Sequence, residues 1–302
     1  MLDVFLIGTG GMMPLPYRFL TSLVLRCNGS TMMIDCGEGT QVALRKKGLS
    51  ANPVDVICFT HYHGDHISGL PGLLLTMGNS ERKEPLVLIG PKGLERVVSA
   101  LRVVAPELPF PIEFQEFTGQ TADFRVKDYI IHAFKVQHNV PCYGYRIDIP
   151  RLGLFDPERA KENEVPLRFW NRLQHGEVIE EDGRIYTPDL VIGPQRKGLA
   201  LLYATDTRPT DSIRENARDL DLLILEGMYG EKGKLQSVRE KKHMLMQEAC
   251  EIAKAADPKE MWLTHYSPAM MHPEEYLDEL QKIFPRTVIP RDGHNTVLLF
   301  ED

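Results

Sequence analysis

The sequence predicts an α/β fold, and three observations carry that prediction. Short apolar runs rich in branched and aromatic residues recur along the chain, as β-strands do. The first of them are arranged as hairpins, with Asn28-Gly29 between two runs as the clearest turn signal. Further on the runs alternate with stretches whose apolar residues fall at helical spacing, the pattern of a sheet covered by helices.

Taken in order, "LDVFLIG" reads as the first strand. Gly8, Gly10 and Gly11 follow it and invite a dinucleotide-binding reading, but that loop would need glycine where Met13 stands and a helix at once, whereas the chain runs "MMPLPYR". "SLVLRC" and "STMMIDC" are the two strands about Asn28-Gly29; Asn28-Gly29-Ser30 matches a glycosylation acceptor only formally, since no secretory signal accompanies it. "PLVLIG", "YIIHAFKV", "GLALLYAT", "LDLLILEG" and "EMWLTH" read as further strands, and "EGTQVALRKKG", "GLERVVSALRVV", "HMLMQEACEIAKAA" and "PEEYLDELQKIF" as helices. Residues 150–198 are irregular and read as an inserted arm or loop on a compact body. With no repeat, low-complexity tract or clear linker, the economical organisation is one domain over 1–302 carrying that insertion.

At 302 residues and 43% hydrophobic, the chain can bury a substantial core. Its 35 Lys+Arg against 42 Asp+Glu, net −7, argue against holding nucleic acid by bulk charge, while leaving room for a local basic patch. Five scattered cysteines without a C-x-x-C pair speak against a disulfide framework or a thiolate zinc knuckle and fit a reducing compartment. The N-terminus lacks a basic region and a cleavage site, and about 18 consecutive apolar residues occur nowhere, so the expectation is a soluble cytoplasmic protein without a membrane partner.

The stretch "FTHYHGDHISGL" places His61, His63, Asp65 and His66 directly after the strand-like run "VDVICF". Metal ligands are well placed where a strand hands over to a loop, because the strand fixes the side chain and the loop leaves room for substrate. His61 and His63 can face the same way from an extended segment, and Asp65 and His66 open the next helical segment. Three other strand ends carry a candidate ligand: His138, Asp206 and His265. A lone histidine at a strand end is ordinarily a hydrogen-bonded structural residue, so for these three the residues alone leave both readings open. A structural reading explains H-x-H-x-D-H poorly. Five His and two Asp suffice for two Zn²⁺ ions with a shared carboxylate, with Mn²⁺ or Fe²⁺ as alternatives. His132 lies within a strand, His175 and His272 in polar loops and His294 in a turn, and each reads as structural.

"THYHGDHISGLPGLL" resembles the signature of the metallo-β-lactamase superfamily in the form carried by the ribonuclease Z family of tRNA 3′-endonucleases. "GTGGMMPLPYRFLTSLVL", "MMIDCGEGTQVAL", "VQHNVPCYGYRI", "ATDTRPT" and "LTHYSP" are similar to other segments of that family, so the resemblance runs along most of the chain. It implies a four-layer αββα sandwich with the metal site along one edge. It implies one zinc on His61, His63 and His138, a second on Asp65, His66 and His265, and Asp206 bridging. Homodimers and a precursor tRNA substrate are further implications. Glu226 in "LEGM" and His243 in "HML" match two further family stretches near the leaving group, with Leu225 standing where the family has histidine.

The mechanism implied is removal of the 3′ trailer from precursor tRNA, with Asp65 accepting the proton of the attacking water and His243, oriented by Glu226, protonating the departing oxygen. Two departures touch substrate contacts. The arm "NEVPLRFWNRLQHGEVIEEDG" lacks a Gly-Pro core and its basic residues are matched by acids; Phe169 and Trp170 either stack on bases or anchor the loop. After His265 the chain reads "YSPAMM", without the family's Arg-Tyr pair. The alternative substrate is therefore a small phosphodiester or cyclic nucleotide. A β-lactamase or thioester hydrolase fits less of the chain, and a flavodiiron protein would want a carboxylate where His63 stands. A non-catalytic binder would be expected to have lost a ligand, and none is lost.

Overall fold

A computed structural model describes residues 1–301. The chain forms two compact units, residues 1–149 with 199–299, and residues 150–198 with Phe300 and Glu301. In the larger unit the first sheet is built from β1 (Leu2–Gly8), β2 (Ser22–Cys27), β3 (Ser30–Ile34), β4 (Val54–Cys58), β5 (Leu86–Pro91) and β6 (Ile112–Phe117). Its helices are α1 (Thr40–Lys46), α2 (Gly64–Ile67), α3 (Leu70–Asn79) and α4 (Leu94–Leu101). The strands β7 (Thr121–Val126), β8 (Tyr129–Val136) and β9 (Cys142–Arg151) begin the second sheet. The smaller unit holds α5 (Pro157–Glu162), α6 (Leu167–Gln174), β10 (Ile179–Glu181) and β11 (Arg184–Tyr186). The second sheet resumes with β12 (Arg196–Ala204), β13 (Leu222–Glu226), β14 (Glu260–Thr264) and β15 (Thr287–Val288), among α7 (Asp211–Asn216), α8 (Leu235–Lys241), α9 (Met246–Ala256) and α10 (Leu277–Gln281); β16 (His294–Leu298) returns to β1.

Each large sheet has seven strands, in the orders β16-β1-β2-β3-β4-β5-β6 and β15-β14-β13-β12-β9-β8-β7. The hairpin expected at Asn28-Gly29 joins β2 to β3, and both turn residues have positive φ, 49° and 80°, as a two-residue turn matched to strand twist requires. Beyond it, β3, β4, β5 and β6 are parallel, as are β12 to β15.

Strand alternation distributes the core. Phe5 and Ile7 of β1 pack with Leu44 of α1 and Leu73 and Met77 of α3, which leaves the buried Leu2, Val4 and Leu6 on the opposite face. In β13, Leu223 and Leu225 pack with Ala249 and Ala253 of α9, while Leu222 and Ile224 are buried on the other face. Strands covered on both sides read as continuous apolar runs, which is why "LDLLILEG" shows no polar alternation. The layers are thus helix, sheet, sheet, helix. Two tyrosines tie the sheets together: Tyr129 donates to Leu25 O (3.2 Å) and Ser30 O (2.9 Å), and Tyr145 donates to Phe59 O (2.7 Å), one residue past β4. All five cysteines are buried and free. No helix among the described residues is long and apolar enough to cross a membrane.

The stretch 150–198, irregular as read from sequence, forms two helices and a hairpin. Asp156 caps α5 by accepting from the N–H groups of Glu158 and Arg159. The unit has its own small core of Ala160, Val165, Phe169, Leu173, Ile179, Tyr186, Val191 and Ile192. Phe169 lies against Tyr186, and Trp170 lies against Phe155 and donates its ring N–H to Val165 O at 2.9 Å, so both aromatics anchor the unit internally. Its cations are largely answered within it: Arg168 by Glu181, Arg172 by Glu177, Lys161 by Glu158 and Arg184 by Glu164. Phe169→Ala should remove about 3–5 kcal/mol from this unit, seen as loss of amide-exchange protection across residues 157–192. Unchanged protection there would mean that Phe169 does not anchor the unit.

Candidate metal centre

The polar residues of interest all stand where strands end. β4 runs through Phe59 and Thr60 to His61; β8 is followed by His138, β12 by Asp206, β14 by His265 and β3 by Asp35, while Glu226 is the last residue of β13. Three of them, Asp35 (φ 59°), Asp206 (φ 56°) and His265 (φ 57°), lie in the left-handed region that residues other than glycine seldom occupy. Such conformations persist where the surrounding structure fixes them, and they cluster at functional sites.

All seven predicted ligands come together. His61 Nε2 is 3.0 Å and His138 Nε2 3.4 Å from His63 Nδ1. A second group forms alongside, with His66 Nε2 3.3 Å from His265 Nε2, and with Asp65 Oδ2 3.7 Å and 3.4 Å from those two nitrogens. Asp206 stands between the groups and divides its oxygens. Oδ1 faces His61 Nε2 (4.0 Å) and His138 Nε2 (3.8 Å), while Oδ2 faces His66 Nε2 (3.0 Å) and His265 Nε2 (3.1 Å). Within each group the ligand atoms lie within 4.8 Å of one another.

This donor set fits a divalent cation. Around His63 the imidazole nitrogens meet at 3.0 and 3.4 Å, an approach in which at most one member of a neutral pair can donate, so lone pairs are left facing a common centre. Neutral imidazole with carboxylate and no thiolate is the ligand chemistry of Zn²⁺ and its first-row neighbours.

A supporting layer fixes which ring nitrogen faces the centre. His66 Nδ1 bonds to Asp35 Oδ2 at 2.8 Å, so its Nε2 turns inward. Asp35 is fully buried and also accepts from Thr60 N (2.9 Å) and Thr60 Oγ1 (2.9 Å). With its hydroxyl hydrogen given to Asp35, Thr60 Oγ1 is free to accept from His61 Nδ1 at 3.0 Å. His138 Nδ1 faces Lys242 O at 3.4 Å. Burial pushes the His138 imidazole down to about 4, and burial followed by the charge at His66 holds His61 well below its ordinary value, so both are neutral at pH 7.

Beside the cluster, His243 and Glu226 form a pair. Burial works against a charged His243, but the adjoining Glu226 charge and its hydrogen bond, Nδ1 to Oε2 at 2.9 Å, outweigh it and raise the imidazole to about 9. The other Glu226 oxygen accepts from Thr207 N at 2.5 Å. His243 Nδ1 also lies 3.8 Å from Asp206 Oδ1, but it is already engaged by Glu226. Leu225, where the resemblance expects histidine, faces the α9 side of β13, away from Glu226, so that difference falls in the core. An open cavity of about 220 Å³ is lined by His63, Asp65, His138, Asp206, His243 and His265, with Met12, Asn139 and Lys241 at its margin.

Several residues of this site carry no distinguishing signal in the sequence alone. Asp35 is one acid directly after a strand, a position that by itself marks no function. Gly11 packs so closely on His265 that a Cβ would lie 2.5–2.8 Å from three ring atoms. Met12 N donates to Asp65 Oδ2 at 2.6 Å, which holds that carboxylate against the glycine loop. The remaining histidines stay outside: His132 pairs with Asp123, His175 bonds Asn171 O, His272 faces Glu274 and His294 packs on Trp262.

Asp35→Ala should weaken metal binding about 10- to 100-fold, measured by competition with a chromophoric chelator, because it frees the His66 ring. Wild-type affinity in that variant would remove Asp35 from the supporting layer. Gly11→Ala should likewise lower metal affinity by displacing His265.

Residues 2–104 match a family described as anti-Pycsar protein Apyc1, and residues 175–266 one described as a beta-lactamase superfamily domain. The crystal structure of human tRNase Z, short form, superimposes with a TM-score of 0.71 at 24% identity over 99% of this chain and 100% of that one. The metallo-beta-lactamase fold protein YhfI from Bacillus subtilis gives 0.70 at 20% over 98% of each. A Lachnospira eligens protein named ribonuclease Z is 59% identical over 302 residues, covering 100% of this chain and 99% of the relative. With that identity along its whole length, the chain belongs to the ribonuclease Z family and has the metallo-β-lactamase fold.

Proposed function

We propose that this chain is a zinc-dependent endoribonuclease that removes 3′ trailers from precursor tRNA, working in the cytoplasm as a homodimer. The observation that carries the chemistry is the division of the Asp206 oxygens between two imidazole groups, next to a histidine hydrogen-bonded to a buried glutamate. Family membership supplies the substrate. On this reading His61, His63, His138 and Asp206 hold one Zn²⁺, and Asp65, His66, His265 and Asp206 hold a second, with Mn²⁺ or Fe²⁺ able to replace them. Residues 150–198 are the substrate arm of a single metallo-β-lactamase-like domain.

When bound, two such ions supply Lewis acidity toward the phosphoryl oxygens and a water acidic enough to ionise at neutral pH. The chain's own residues do the rest. Asp65, anchored by Met12 N–H, presents its carboxylate at the cavity and takes the proton of the attacking water. His243 is charged at pH 7 and lines the same cavity, so it can give a proton to the 5′-oxygen of the departing trailer, leaving a 3′-hydroxyl on the tRNA. Glu226, satisfied by Thr207 N on one oxygen and by His243 on the other, orients the ring and maintains its charge.

End-labelled precursor tRNA should be cut once after the discriminator base, and Asp65→Ala should reduce that cleavage to background while the fold is kept. No cut by protein that still hydrolyses bis-p-nitrophenyl phosphate would defeat the tRNA assignment and leave a phosphodiesterase for a smaller diester. His243→Ala should slow RNA cleavage about 10²–10⁴-fold and leave bis-p-nitrophenyl phosphate hydrolysis nearly unchanged, since nitrophenolate departs without a proton. Equal losses on both substrates would remove His243 as the acid. Metal analysis after zinc loading should find two ions per chain.

A further inference from the structure

His243 lies on a short connection, residues 242–245, between α8 and α9, outside any regular element. Lys242 is in the left-handed region, with φ 59°, so the chain turns sharply immediately before the histidine. A group that must deliver a proton to one oxygen needs more than a side-chain hydrogen bond to hold it there, because misplacement by about 1 Å can cost 10²-fold in rate.

The backbone of His243 is gripped on both sides of its α-carbon. Its N–H donates to Val238 O at 2.8 Å, and its carbonyl accepts from Arg208 Nη1 at 2.5 Å. Arg208 comes from a different part of the fold, two residues past Asp206. Its backbone N–H donates to Gln137 O at 3.2 Å, next to His138, and the Thr207 hydroxyl accepts from Gln137 N at 3.1 Å. The guanidinium is itself fixed by a two-point contact with Glu248, Nη1 to Oε2 at 2.9 Å and Nη2 to Oε1. Glu248 Oε2 in turn accepts from Leu245 N at 2.9 Å, at the start of α9. A planar fork matched to a carboxylate holds direction as well as distance, which an ammonium cannot do.

We propose that Arg208 is a positioning residue for the general acid: pinned by Glu248, it fixes the His243 backbone relative to the Asp206 and His138 segments and so aims the imidazole at the leaving oxygen. The kinetic part of this assignment rests on His243 being the proton donor, as argued above. The structural part does not.

Two measurements on full-length protein separate these parts. The first is the His243 Nδ1–H proton resonance of the zinc-loaded protein, assigned by its loss in His243→Ala and kept slow to exchange by the bond to Glu226. Arg208→Ala should broaden or abolish that signal while the histidine resonances of the metal cluster stay in place; an unchanged signal overturns the proposal whether or not the protein cuts tRNA. The second is cleavage of a short RNA, which needs a proton on the leaving oxygen, set against bis-p-nitrophenyl phosphate, which does not. Arg208→Ala should slow the RNA reaction about 10- to 100-fold in kcat with little change in KM, change the nitrophenyl reaction less than about 3-fold, and add almost nothing in a His243→Ala background. Equal losses on both substrates, or full additivity with His243→Ala, overturn it. If Arg208→Ala does not fold, Glu248→Gln keeps the shape, loosens the fork and should give the same pattern at smaller amplitude. Failure to process precursor tRNA alongside loss of the resonance would sink the substrate assignment and leave the role of Arg208 standing.

Discussion

Asp206 is the residue on which the arrangement turns. Its carboxylate is buried, 3% exposed, where an isolated ion is disfavoured by several kcal/mol. Nothing short of surrounding it with groups able to carry or attract positive charge makes that position tolerable. The burial that would raise its pKa is overcome by the neighbouring His265 and His66, and the carboxyl is held well below the usual carboxylate range. His66 stands on α2, after β4, and His265 directly follows β14, and those strands lie in different sheets, so satisfying one carboxylate obliges the two sheets to stay in register at their edge. The Tyr145 bond to Phe59 O and the Tyr143 N–H bond to Thr60 O at 3.1 Å serve that requirement, because both cross between the sheets within two residues of His61.

The parallel strands explain why so many side chains can be delivered to one place. β4, β12, β13 and β14 all end on the side where the cluster lies, and the residues at or just past each strand end are the first free to turn inward. Left-handed backbone at Asp35, Asp206 and His265 is the local form of that turn. Strain at three positions is sustained by hydrogen bonds and close packing around them, Gly11 against His265 being the tightest instance.

The candidate ligand set was legible in sequence because its densest part is local: His61, His63, Asp65 and His66 occupy six positions, and no helix or strand pattern accounts for them. His138, Asp206 and His265 stand out as candidate ligands only through the family resemblance, since one polar residue after a strand carries little information. Asp35 and Arg208 escaped for the same reason, although both stand in stretches whose likeness to the family was plain. Among the strands, β7 was missed because its burial alternates between exposed and half-buried, so it has no apolar face to read. The arm was read as irregular because its helices are short and its apolar residues sparse; Phe169 and Leu173, one turn apart on α6, were the available signal. What makes the arm a folded unit is the meeting of Phe169 with Tyr186 and of Trp170 with Phe155, contacts between residues 15–17 apart that no local pattern announces.

The five buried thiols give the molecule a property unrelated to catalysis. Burial pushes Cys36 up to about 12 and raises Cys58 and Cys142 well above the ordinary thiol value, so in the closed protein almost none of these sulfurs is a thiolate, and solvent does not reach them. Cys36 and Cys58 flank the Asp35 support, Cys142 Sγ lies 3.7 Å from His61 Nδ1, and Cys250 is on the buried face of α9. Alkylation of each sulfur is therefore gated by local opening of its surroundings. The chain carries built-in reporters at several depths, three of them directly behind the ligand cluster, and the order in which they become reactive traces how the sandwich comes apart.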